Sequence, residues 1–162
     1  MEAETDGLTQ GGVFLWACVE GILSVRVLKQ SGATRPAQMT AGGKWLLGGQ
    51  NQVVLDRWIE GRTLETYTPT GIGSIARLRA ELAEIRRCGY AVDEQEFELG
   101  LACIAAPVHD ATGRVVAAVA ISGPSSRVDE HRILELALVV TCPADPLAHA
   151  FDVRSSSDRV ED

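Results

Sequence analysis

Residues 101–122 read LACIAAPVHDATGRVVAAVAIS. Two apolar runs, 101–108 and 115–122, flank Asp110-Ala111-Thr112-Gly113, which has the composition of a tight turn. Strands joined by so short a turn must be antiparallel. The second run alternates, with Val116, Ala118, Ala120 and Ser122 on one face and Val115, Ala117, Val119 and Ile121 on the other. The alanine-rich face leaves room for a closely packed helix or for a ligand. Ser122-Gly123-Pro124 ends the strand in a turn, where a hydroxyl either caps the turn or meets a ligand.

Immediately upstream, residues 93–103 read DEQEFELGLAC. If this stretch is extended, Glu94, Glu96 and Glu98 share one face. Asp93, Gln95, Phe97, Leu99, Leu101 and Cys103 share the other. Three parallel carboxylates repel one another when buried, so the glutamate face is expected to be wet. Asp93 then either closes the preceding strand as a turn residue or faces inward, where an acid needs a partner or a ligand.

Further upstream, Ile75, Leu78, Leu82 and Ile85 recur at helical spacing, so 74–88 is read as a helix. Ser74 is placed to cap it, Arg86 and Arg87 suit its negative end, and Gly89 closes it. Thr40 caps a shorter helix through 47, and 51–60 forms another. Residues 13–20 and 23–29 read as paired strands, and 31–38 as a loop. Asp129 caps a last helix to about 140, which Pro143 and Pro146 stop. Strands and helices do not alternate one by one, so the fold class is α+β, a mainly antiparallel sheet flanked by helices. The expected organisation is a flexible N-terminus at 1–10, one domain at 11–142, and an irregular or disordered tail at 143–162.

The chain has 162 residues and a net charge of −7, with 22 acidic side chains against 15 basic ones. That balance argues against direct binding to nucleic acid, where neutralising phosphate dominates affinity, and against anionic membranes. The longest uninterrupted apolar run, 115–121, falls far short of the ~20 residues a membrane span needs. The acidic start MEAETDGLTQ lacks the basic lead of a secretory signal. A soluble, cytoplasmic protein is expected. The cysteines at 18, 88, 103 and 142 form no CxxC, and His109, His131 and His149 have no metal spacing, so no metal is expected. The cysteines are read as reduced, buried thiols. Thr40-Ala41-Gly42-Gly43-Lys44 opens a helix with glycines, as an anion cradle does, but is not a Walker loop.

Several of these stretches resemble the effector-binding, GAF-like C-terminal domain of IclR-type transcriptional regulators. They are LRAELAEIRRCGYAVD at 78–93, EFELGLACIAAPV at 96–108 and DATGRVVAAVAISGPSSR at 110–127, with weaker echoes in TAGGK at 40–44 and ETYTP at 65–69. The likeness covers about residues 11–140. Such regulators pair a DNA-binding winged helix-turn-helix with a domain that binds a small organic effector, and only the second part is resembled here. Carried over by motif, the resemblance implies ligand contacts from Ala41, Gly42, Asp93, Leu101, Cys103, Ala120 and Ser122. Trp45 stands where the family usually has a small residue, and Ala120 where a hydroxyl is common. If Trp45 faces the pocket, a larger and less polar ligand than a simple keto acid is expected.

Two functional readings follow. In the first, the chain is a stand-alone small-molecule binding domain, probing an organic acid or a larger apolar metabolite. It would act without cofactor, nucleic acid or membrane, as a homodimer or through a partner regulator. In the second, the pocket has been recruited as an enzyme of cyclase or isomerase type, with Asp93 as acid/base. A degenerate regulator that keeps only its dimer-forming surfaces is a third possibility.

Overall fold

The computed structural model describes residues 2–8, 13–19, 34–109, 112–128 and 130–141. The strands are β1 (Glu2–Leu8), β2 (Val13–Val19), β3 (Thr34–Arg35), β4 (Ala91–Glu94), β5 (Leu101–His109) and β6 (Val115–Pro124). The helices are α1 (Ala41–Gly48), α2 (Gln52–Ile59), α3 (Ile75–Cys88) and α4 (Glu130–Thr141). The strands form one sheet in the order β3-β2-β1-β6-β5-β4, and every pairing is antiparallel.

The 101–122 hairpin is the centre of this arrangement. Cys103 lies opposite Ser122, and Ala105 opposite Ala120. One face of the hairpin, with Leu101, Cys103, Ala105, Ala118 and Ala120, packs beneath α1, α2 and α3 through Leu46, Leu47, Leu55, Leu78 and Leu82. The other face, with Ala102, Ile104, Ala106 and Val108, packs on α4 through Leu136, Ala137 and Val140. Because helices cover both faces of β5, its side chains from 101 to 108 are all buried. That explains why its sequence is continuously apolar rather than alternating.

The helix boundaries follow local chemistry. The side chains of Thr40, Asn51 and Ser74 accept the N–H groups of Gly43, Val54 and Arg77 and so cap α1, α2 and α3. Gly89 ends α3 at φ 84°, a left-handed conformation that glycine adopts without a Cβ penalty. Gly43 is constrained by space instead. A Cβ there would lie 2.4 Å from the Ala37 carbonyl oxygen and 2.6 Å from the Ala37 Cα, which pins the turn Ala37–Met39 against α1.

Three expectations change. Residues 2–8, read as flexible, form β1, which lies between β2 and β6 and joins the two halves of the sheet. The loop read at 31–38 contains the short β3, which pairs with β2. The continuous extension over 93–103 is broken: β4 stops at Glu94, Gln95 turns left-handed at φ 61°, and β5 begins at Leu101. The readings for 23–29, Asp129 as a cap, and the tail at 143–162 lie outside the described residues. No helix among the described residues is long and apolar enough to cross a membrane.

Gly43→Ala is expected to destabilise the domain by roughly 2 kcal/mol or more, because the clash is with backbone and cannot be relieved by a rotamer change. Thr40→Ala, which removes only the cap, is expected to cost about 1 kcal/mol. Urea unfolding of both variants measures the difference.

Candidate functional site

The site forms where the start of α1 meets β4, β5 and β6. Antiparallel register places Asp93 opposite Cys103, and Cys103 opposite Ser122, so the three side chains form one row across three strands. The Ser122 hydroxyl donates to the Cys103 Sγ at 2.9 Å. Asp93 and Ser122 are essentially inaccessible, at 1% and 0% exposure. Leu101 and Ala120 flank this row on the same face, and Ala41 at the start of α1 joins the same cluster. Gly42 is buried in the first turn of that helix. The expected contact residues are therefore brought together on one face.

Trp45 is part of this cluster, but its indole N–H donates to the Gly89 carbonyl at 3.3 Å. The ring thus ties α1 to the end of α3. Two of the surface cavities among the described residues lie elsewhere. One, of about 430 Å³, is lined by Gly49, Gln50, Asn51, Gly113, Arg114 and Val115. The other, of about 150 Å³, lies around Gln38, Trp58 and Arg62. Neither is lined by Asp93, Cys103 or Ser122. Among the described residues, no three His, Cys, Asp or Glu side chains converge so as to hold a metal.

Asp93 does act as a turn residue. Its Oδ1 accepts the Glu96 amide at 2.7 Å, which bends the chain away from β4. This bend overturns the wet glutamate face. Glu94 and Glu98 are exposed, but Glu96 is turned inward and buried. Its Oε1 accepts from the Lys44 ammonium at 2.7 Å, and Lys44 is itself fully buried. Lys44 also reaches the half-exposed Glu81 of α3 at 3.0 Å. Among the described residues the Glu96 Oε2 is buried and has no hydrogen-bond partner. Burial pushes the Glu96 carboxyl up from 4.5 to about 7. Lys44 opposes the rise, while Asp93 and Glu81 add to it. Lys44, Glu81 and Glu96 were missed as a group because they lie on separate elements, 37 and 52 residues apart from Lys44. The available signal was a single lysine in an otherwise small and apolar helix, Ala41–Gly48.

An antiparallel sheet carrying this row beneath a capped, glycine-rich helix start defines a class of domain, and comparison with known proteins assigns it. Residues 8–147 match the family described as bacterial transcriptional regulator IclR C-terminal. The chain belongs to that family. The HTH-type transcriptional repressor AllR of Klebsiella pneumoniae is 35% identical over 134 residues, covering 83% of this chain and 49% of AllR. The Thermotoga maritima IclR structure matches with a TM-score of 0.86 at 29% identity, covering 92% of this chain and 60% of that one. A double mutant of the PobR inducer-binding domain from Acinetobacter, in complex with 3-hydroxybenzoic acid, matches with a TM-score of 0.81 at 27% identity. That match covers 91% of this chain and 87% of the other. The chain spans about half the length of the curated relatives it matches.

The raised Glu96 carboxyl has a consequence for stability. In the unfolded chain Glu96 ionises near 4.5, and in the folded chain near 7. The unfolded chain therefore loses its proton first, and stabilisation present below pH 4.5 is lost as pH rises to about 7. Across that window the wild type is expected to lose on the order of 3 kcal/mol relative to Glu96→Gln, which cannot titrate. Paired urea titrations of the two proteins between pH 4.5 and 8 read this difference directly.

Proposed function

We propose that these residues form the effector-binding part of a transcriptional regulator, and that the effector is a small organic molecule held against Asp93, Cys103 and Ser122. The observation that carries this reading is the cross-strand row itself. Three polar side chains of different chemistry share one buried face beneath the start of α1. Grouped on a face of alanines, they make a polar patch within an apolar wall, the composition of a small-molecule site. The side chains beside the row, Ala41, Ala105 and Ala120, are small. The first-turn N–H groups of α1 add partial positive charge at one side. The PobR domain complex with 3-hydroxybenzoic acid supports a carboxylic acid as the first ligand class to test.

The DNA-reading step belongs, in this proposal, to other residues. The net charge of −7 disfavours contact with phosphate by the residues present here. Binding of the effector would be passed on within a second copy of the chain or to a DNA-binding regulator.

A thermal-shift panel of 3-hydroxybenzoate, benzoate and pyruvate tests the reading, because a ligand that binds only the folded state must raise the melting temperature. Stabilisation by at least one acid is expected. Ser122→Ala is expected to weaken its binding by about tenfold, the equivalent of one hydrogen bond. A panel without any stabilisation, or full affinity in Ser122→Ala, counts against this site.

A further inference from the structure

Beside the row, one buried cation faces two carboxylates. Lys44 from α1 faces Glu96 at 2.7 Å and Glu81 from α3 at 3.0 Å. Asp93 from β4 lies beside Glu96 and accepts the Glu96 amide at its Oδ1. Lys44, Glu96 and Asp93 are buried, and Glu81 is partly exposed. The Thr68 hydroxyl also donates to the Glu96 backbone carbonyl and does not titrate in this range. Among the described residues the Glu96 Oε2 is buried and accepts no hydrogen bond from the protein.

An organic anion placed against Asp93, Cys103 and Ser122 would add negative charge beside this cluster. The protein has two ways to accommodate it: tolerate the repulsion or bind a proton. Asp93 contacts the ligand row directly through its register, and it is one hydrogen bond from Glu96. Lys44 lies one helical turn from Ala41 and so belongs to the same wall. Glu96 is thus linked to Asp93 through its amide and to the buried cation through its carboxylate.

We propose that the site takes an organic acid as its anion together with one proton, and that Glu96 carries the proton. This rests on the reading of the row as an organic-acid site. The carboxyl of Glu96 already titrates near neutrality, at about 7. A neighbouring anion disfavours its charged form further and raises its proton affinity in the complex. Above pH 7 each binding event then draws a proton from solution, and affinity falls as pH rises. The specificity that results is for charge: an anion is admitted with its proton, while a neutral analogue needs none.

The test measures the affinity of the full chain for 3-hydroxybenzoate, benzoate and pyruvate between pH 6.5 and 8.5, with 3-hydroxybenzamide as the neutral analogue. The wild type is expected to lose affinity for a bound acid several-fold over this range, approaching tenfold per pH unit at full linkage. Glu96→Gln is expected to bind the same acid with no such dependence. Calorimetry of the wild type in two buffers of different ionisation enthalpy gives the protons taken up per ligand, so the answer does not depend on the variant folding. A value near one at pH 8 is expected. Binding without pH dependence or proton uptake overturns this inference and leaves the site reading standing. Equal pH dependence in Glu96→Gln removes Glu96 as the carrier. Failure of every acid to bind at any pH overturns the organic-acid reading, and this inference with it.

Discussion

A buried lysine organises this domain. Lys44 is fully enclosed in a helix that is otherwise small and apolar, and its ammonium is held by Glu96 and Glu81. An isolated ammonium in such a place would be prohibitively costly, so the carboxylates must arrive with it. Each carboxylate brings its own element: Glu81 fixes α3, and Glu96 fixes the bend between β4 and β5. The cation therefore does more to specify where elements meet than to add net stability, because desolvation of the pair offsets much of its attraction. The rise of the Glu96 carboxyl toward neutrality shows the same balance, with burial outweighing Lys44.

Much of the fold was legible in the chain. Helix α3 announced itself through the spacing of Leu78, Leu82 and Ile85 and through Ser74 and Gly89 at its ends. The hairpin was legible in its two apolar runs and intervening turn. The failures share one cause, long-range pairing that leaves no local trace. The 2–8 stretch is rich in acidic and polar residues, and its place in the sheet is set by its register with β2 and β6 rather than by its own pattern. Glu96 was misplaced because alternation presumes an unbroken strand. A side-chain bond from Asp93 and a left-handed Gln95 broke it.

The candidate site was more legible than its support. Parity placed Asp93, Leu101 and Cys103 on one face and Ala120 with Ser122 on another strand's face, and family motifs added Ala41 and Gly42 and joined the two sets. The register then sets Asp93 opposite Cys103 and Cys103 opposite Ser122. What parity cannot express is depth. Strand periodicity separates two faces but does not say which residues of a bend are drawn inward by a distant charge. Trp45 illustrates the same limit: its identity pointed to a ligand contact, while its N–H is occupied by the Gly89 carbonyl.

The position of β1 has a bearing on how the chain is made. On the ribosome β1 and β2 emerge long before 115–124, yet β1 must pair with β6 to complete the sheet. During that delay β1 has one partner and one open edge, the geometry that invites pairing with another nascent chain. The sheet therefore closes last at its middle, and its folding is gated by the slow meeting of distant segments rather than by the quick helices between them.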